Sequence, residues 1–104
     1  MVTILYRAVS LAELEDFRRF GRLRAGTFSC EGKHFACMLR AAREWGDALH
    51  GPTGYTILRV SFGDDVVATL FAWDSLDGIG PARFATIEQL EGVRAVEVIN
   101  EPPS

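Results

Sequence analysis

Five residues carry the chemistry that this chain could do. Arg7 stands in a stretch, Val2 to Val9, whose alternate positions are largely apolar on both sides. A guanidinium in a strand buried on both faces must be paired or must face a polar ligand. Ser29 precedes, and His34 lies within, a short run, Lys33 to Ala36, that reads as extended and leads straight into a helix. Junctions of that kind are frequent places for small-molecule sites. Trp45 falls on the apolar stripe of that helix, and Asp77 sits in a loop bracketed by glycine, Asp77-Gly78-Ile79-Gly80.

Other combinations are weaker. Cys30, His34, Cys37 and His50 contain the residue types of a zinc site, but Cys-x3-His-x2-Cys departs from the usual paired spacing. No metal is expected. Cys30 and His34 lie close enough in sequence for a nucleophile and base, with nothing beyond proximity to support that use. The chain has no phosphate loop, no dinucleotide glycine fingerprint and no Gly-x-Ser-x-Gly elbow.

The elements that must position these residues follow from periodicity. Val2–Val9 reads as a strand. Ser10, with Glu13 three residues on, reads as a capping box for a helix whose apolar side is Leu11, Leu14, Phe17 and Phe20, stopped near Gly21. A second helix runs from about Cys37 to His50, with Met38, Ala42, Trp45 and Leu49 on one face. Tyr55–Phe62 alternates as a strand. Val66–Trp73 reads as a short helix or irregular segment, and Asp74–Pro81 as a loop. Arg83–Ile87 is then a short strand, Glu88–Leu90 a turn and Val93–Ile99 a final strand.

At 104 residues the chain is expected to be one domain, 1–104. Its net charge of −3 argues against a general nucleic-acid binder. The basic cluster Arg18, Arg19, Arg22 and Arg24 reads as a solvated helix end, where cations oppose the dipole. Two cysteines give no disulfide framework, and the apolar opening is too short for a signal peptide. A cytoplasmic protein, or one delivered as an effector, is expected.

Three stretches resemble the ADP-ribosyltransferase-like superfamily. Leu5-Tyr6-Arg7-Ala8-Val9-Ser10 is similar to its first strand, where an Arg or His contacts the NAD ribose or phosphate. Gly32-Lys33-His34-Phe35-Ala36, leading into a helix, resembles the Gly-x-Tyr-Phe-Ala segment of the polymerase branch. His34 takes the place of the nicotinamide-stacking Tyr there, and Trp45 that of a second stacking aromatic. Arg83 to Val98 resembles the last strand and its return, although Pro81, Ala82 and Arg83 stand where the family has its catalytic Glu. The wording is similar above all to small bacterial proteins and toxin C-terminal domains that open Tyr-Arg-Ala-Val-Ser and later carry Gly-Lys-x-Phe-Ala.

The resemblance implies an α+β fold, a split antiparallel β-sandwich with two helices packed on one side. It implies NAD as substrate, a protein or nucleic-acid acceptor for ADP-ribose and, for a toxin, a cognate inhibitor protein. Arg7 would grip the phosphate or ribose, Ser29 would support the first strand, and His34 and Trp45 would flank the nicotinamide. Asp77 is the candidate carboxylate, and Asp77 and Arg7 together form the catalytic pair. A catalytically inactive binding or interaction module of the same fold is the alternative.

Overall fold

The computed structural model describes residues 1–24, 32–51 and 54–99. Among them are six strands, β1 (Val2–Val9), β2 (Gly32–Ala36), β3 (Thr56–Gly63), β4 (Phe71–Leu76), β5 (Gly80–Thr86) and β6 (Val93–Ile99). Four helices join them: α1 (Leu11–Phe20), α2 (Leu39–His50) and the single turns α3 (Asp64–Val67) and α4 (Ile87–Leu90). The class is α+β. The strands form one open sheet in the order β4-β5-β2-β1-β3-β6, antiparallel throughout.

One sheet replaces the expected pair, yet it is joined unevenly at its centre. β1 pairs with β3 along its whole length, from Val2↔Gly63 to Val9↔Thr56. Against β2 the register among the described residues is the single pair Tyr6↔Ala36. Beyond that point the strands part. The sheet therefore has two halves, β4-β5-β2 and β1-β3-β6, with a seam between them.

The long helices lie on opposite faces rather than together, which alternation along β1 makes plain. Leu5 and Val9 pack with Leu14 of α1, and with Phe35, Leu58, Val60 and Phe62, in the larger core. Phe35 and Phe62 meet edge to face at 5.1 Å. Tyr6 and Ala8 point the other way, onto Ala41, Ala42 and Trp45 of α2. A sheet apolar on both faces needs a cover on each, so one helix on each side buries more apolar surface than two on one side.

Local chemistry explains the helix ends. The Ser10 side chain accepts from the Glu13 N–H, and Gly21 closes α1 in the left-handed region at φ 71°. The capping box is only half made, because the Glu13 carboxylate turns to two cations instead of the Ser10 N–H. Charge-assisted bonds win over a neutral amide. Within α2, Gly46 lies under the Tyr55 ring, where any Cβ would overlap it. That close approach fixes the helix, and with it Trp45, against the sheet.

The segment after α3 differs from expectation. Phe71–Leu76 is a strand, with Phe71 and Trp73 side by side on one face at a ring separation of 4.7 Å. The stretch expected as the loop Asp74–Pro81 is instead a tight hairpin. Asp77 and Gly78 both have positive φ, 56° and 71°, and the Ile79 N–H donates to the Leu76 carbonyl. Leu76 pairs with Gly80 across the three residues between them, a loop length common in hairpins. Of the sequence candidates, Ser29 and Cys30 lie outside the described residues.

Candidate functional site

Where β1 and β2 part, a cleft of about 540 Å³ opens under α2. Volumes of roughly 300–1,000 Å³ are typical of small-molecule sites. Arg7, His34, Trp45 and Asp77 all line it. They come from β1, β2, α2 and the β4–β5 turn, so only the tertiary fold brings them together. Ala42, Leu49 and Leu76 supply apolar wall, and Tyr6 adds a ring at the seam. Asp77 is the only carboxylate among the described residues that line the cleft.

Arg7 is held at three points. Its Nε and Nη2 donate to Glu13 Oε2 and Oε1 at 2.7 and 2.9 Å. Its Nη1 donates to the His34 carbonyl at 2.8 Å. A continued ladder would set that carbonyl opposite Ala8 of β1; the guanidinium spans the seam instead. The expected need for a partner is thus met, and Arg7 sits at the cleft rather than on an outer edge. Its side chain is only 17% exposed.

Glu13 accepts a third bond, from Lys33 Nζ at 3.1 Å, and both side chains are buried, at 8% and 2% exposure. Burial alone would raise the Glu13 carboxyl, but the Arg7 hydrogen bond and charge, with the Lys33 charge and hydrogen bond, hold it below its ordinary 4.5. Burial pushes the Lys33 ammonium below its ordinary 10.5, against the pull of Glu13. Gly32 sets this segment, since a Cβ there would overlap the Ala85 carbonyl. Sequence reasoning missed both residues. Glu13 carried a capping signal that hid its second use, and Lys33 carried none.

Strand alternation places His34 on the cleft side and buries Phe35 in the core at 1% exposure. The His34 ring does not stand by itself. It lies 4.9 Å from Phe84, edge to face, and 5.5 Å from Trp73. Burial and the Arg7 charge lower its pKa from 6.5, while the Asp77 charge opposes them. Trp73 and Phe84 went unread as site residues, although Phe71 and Trp73 two apart carried the strand period.

The position expected for an acid stays without one. Ala82 and Phe84 are on the His34 side of β5, given the pairs His34↔Phe84 and Ala36↔Ala82, so Arg83 projects to the other face. The cation at position 83 is therefore kept out of the cleft. Among the described residues no group of three or more His, Cys, Asp or Glu is placed to hold a metal. None of their helices is long and apolar enough to cross a membrane.

Comparison with known proteins finds no matching family model, no matching curated protein and no matching solved structure.

Proposed function

We propose that this chain is an NAD-binding domain of ADP-ribosyltransferase type, transferring ADP-ribose to a protein or nucleic-acid acceptor. One observation carries the reading: Arg7, His34 and Trp45, the residues that resemble that superfamily's NAD contacts and are far apart in sequence, line a single cleft at a seam in the sheet together with the carboxylate of Asp77. Unrelated positions have no reason to converge in this way.

In such a reaction the bond from the ribose C1′ to the nicotinamide nitrogen breaks, and the acceptor atom bonds to C1′. The nicotinamide leaves neutral with the bonding pair, and the acceptor gives up a proton. The ribose passes through an oxocarbenium-like state, which a nearby carboxylate stabilises. Asp77 is the carboxylate for that cation or for the acceptor proton, and the turn that carries it is exposed at the cleft rim. Arg7 faces the phosphate or ribose with the N–H groups that Glu13 and His34 leave over. His34 and Trp45 flank the nicotinamide, with Trp73 and Phe84 backing the His34 ring.

A second reading, an inactive binding module of the same fold, is favoured by the firm grip of Glu13 on Arg7 and by Pro81-Ala82-Arg83 in place of an acid. Two measurements separate the readings. NAD at a hundred times its Kd should stabilise the protein by about 2.7 kcal/mol, and an enzyme should also release nicotinamide. Stabilisation without release selects the binding module. Absence of both removes the NAD reading.

A further inference from the structure

Four rings lie open on the sheet beside the cleft. Phe71 of β4, Phe84 of β5 and His34 of β2 stand side by side across three strands, through the pairs Phe71↔Phe84 and His34↔Phe84. Trp73 is two residues along β4, on the same face. Its ring lies 4.7 Å from Phe71 and 5.5 Å from His34, and His34 lies 4.9 Å from Phe84. None of the four belongs to either hydrophobic core. Phe71 is 62% exposed, and α2 covers the other half of this face, over Tyr6, Ala8 and Ile57.

Charge around the rings is one-sided. The only cations on β2, β4 and β5 are Lys33 and Arg83, and alternation sends both to the opposite face, with Phe35 and Ala85. Asp74, next to Trp73, and Asp77, in the following turn, are both exposed. The Asp77 charge reaches the His34 ring, which burial keeps neutral near pH 7. Arg7 reaches it too, but from the α1 side, where Glu13 pairs with the guanidinium. Aromatic faces carry negative potential, so rings with carboxylates at their edge attract a cation. A phosphate chain would want a basic groove beside the rings instead. A guanidinium suits both features, being flat enough to stack and always charged.

We propose that Phe71, Trp73, Phe84 and His34 form a docking surface for an arginine-bearing segment of a partner protein. The guanidinium stacks on the rings, and the carboxylates of Asp74 and Asp77 draw it in from solvent. Phe71 buries little within this chain, so its ring is explained by what it meets outside it. The surface touches the cleft only at His34, so its occupation does not depend on NAD.

The test uses the full chain and two probes, end-blocked Gly-Ser peptides that carry a single arginine or a single lysine. Both are titrated by NMR at physiological salt, with the ring signals of His34 and Trp73 as the readout. The arginine peptide should shift those signals and bind more tightly than the lysine peptide, because an ammonium holds its water and cannot stack. Phe71→Leu keeps an apolar side chain and removes a ring face. It should weaken the arginine peptide by about two- to thirtyfold, the range of a cation–π contact, and leave any stabilisation by NAD unchanged. If Phe71→Leu fails to fold, Trp73→Leu carries the same expectation for the peptide. Equal binding of the two peptides, or arginine binding indifferent to the ring removed, overturns the proposal. Self-association that Phe71→Leu abolishes would assign the rings to a second copy of the chain, and adenosine bound more tightly than the peptide would assign them to a ring ligand; either result overturns it. Arginine binding without NAD binding supports the docking surface and removes the NAD reading. NAD binding with no preference for arginine leaves that reading and overturns this one.

Discussion

Arg7 and Glu13 meet edge to edge across the first turn of the chain, two parallel hydrogen bonds at 2.7 and 2.9 Å with Ser10 capping the helix between them. The pair ties the end of β1 to α1, and the Arg7 bond to the His34 carbonyl ties both to β2. A side chain thus closes the seam where main-chain pairing has stopped. The cleft and the joint that holds the sheet together share a residue, so changes at one are felt at the other.

Glu13→Ala should be among the most damaging single changes. It leaves two buried cations facing each other, and breaking such a group costs about 3–5 kcal/mol. That is a large part of the roughly 5–15 kcal/mol that holds a domain of this size. Urea denaturation measures it directly. A loss below about 1 kcal/mol would show that water enters and solvates the cations, and that the clasp contributes little.

Acid should weaken the fold through the same carboxyl. Its folded pKa lies below 4.5, so the unfolded chain binds the proton more readily. The stabilisation is then fully present above about pH 4.5 and is lost as pH falls through the folded value. In Glu13→Gln this part of the acid limb should vanish from a plot of unfolding free energy against pH. An unchanged limb would assign acid sensitivity to other carboxylates.

His34 reports on Asp77. Its imidazole should titrate below 6.5 by NMR, because burial and then Arg7 disfavour the cation. The folded value being the lower, the unfolded chain holds more protons in that interval, so this contribution to stability rises with pH across it and falls on acidification. Asp77→Asn removes the charge that favours the imidazolium and should move the titration further down. No movement would place the Asp77 carboxylate too far from the ring to share its substrate.

The same Asp77→Asn protein tests the chemistry. If Asp77 serves as the acid–base group, nicotinamide release should fall by about 10²–10⁴-fold, the usual worth of such a group. NAD affinity should change little, since the amide keeps the shape of the turn. Equal losses in binding and release would make Asp77 a binding residue instead.

Gly46→Ala should cost roughly 1–3 kcal/mol by overpacking against the Tyr55 ring. Trp45 is its neighbour in sequence, so its fluorescence should shift as α2 is pushed from the sheet. A variant as stable as the unaltered protein, with unchanged emission, would mean that Tyr55 moves aside.

Much of the local structure was legible in the residues. Val93–Ile99 is a strand over the range its alternation indicated, and Tyr55–Phe62 is displaced by one residue. The Ser10 cap, the Gly21 stop and the opposite facing of His34 and Phe35 follow from interactions within a few residues, which a sequence contains in full. Phe71–Leu76 was harder, because a short apolar run fits a helix or a strand until its neighbour is known. Which elements meet was not legible there. The single sheet, the helices on opposite faces and the parting of β1 from β2 depend on pairings between distant segments. Lys33 shows the reason most clearly. In the sequence it is one more surface-type charge beside a histidine; in the fold it is 2% exposed, because β5 on one side and α1 beneath leave its ammonium only the Glu13 carboxylate that Arg7 already holds.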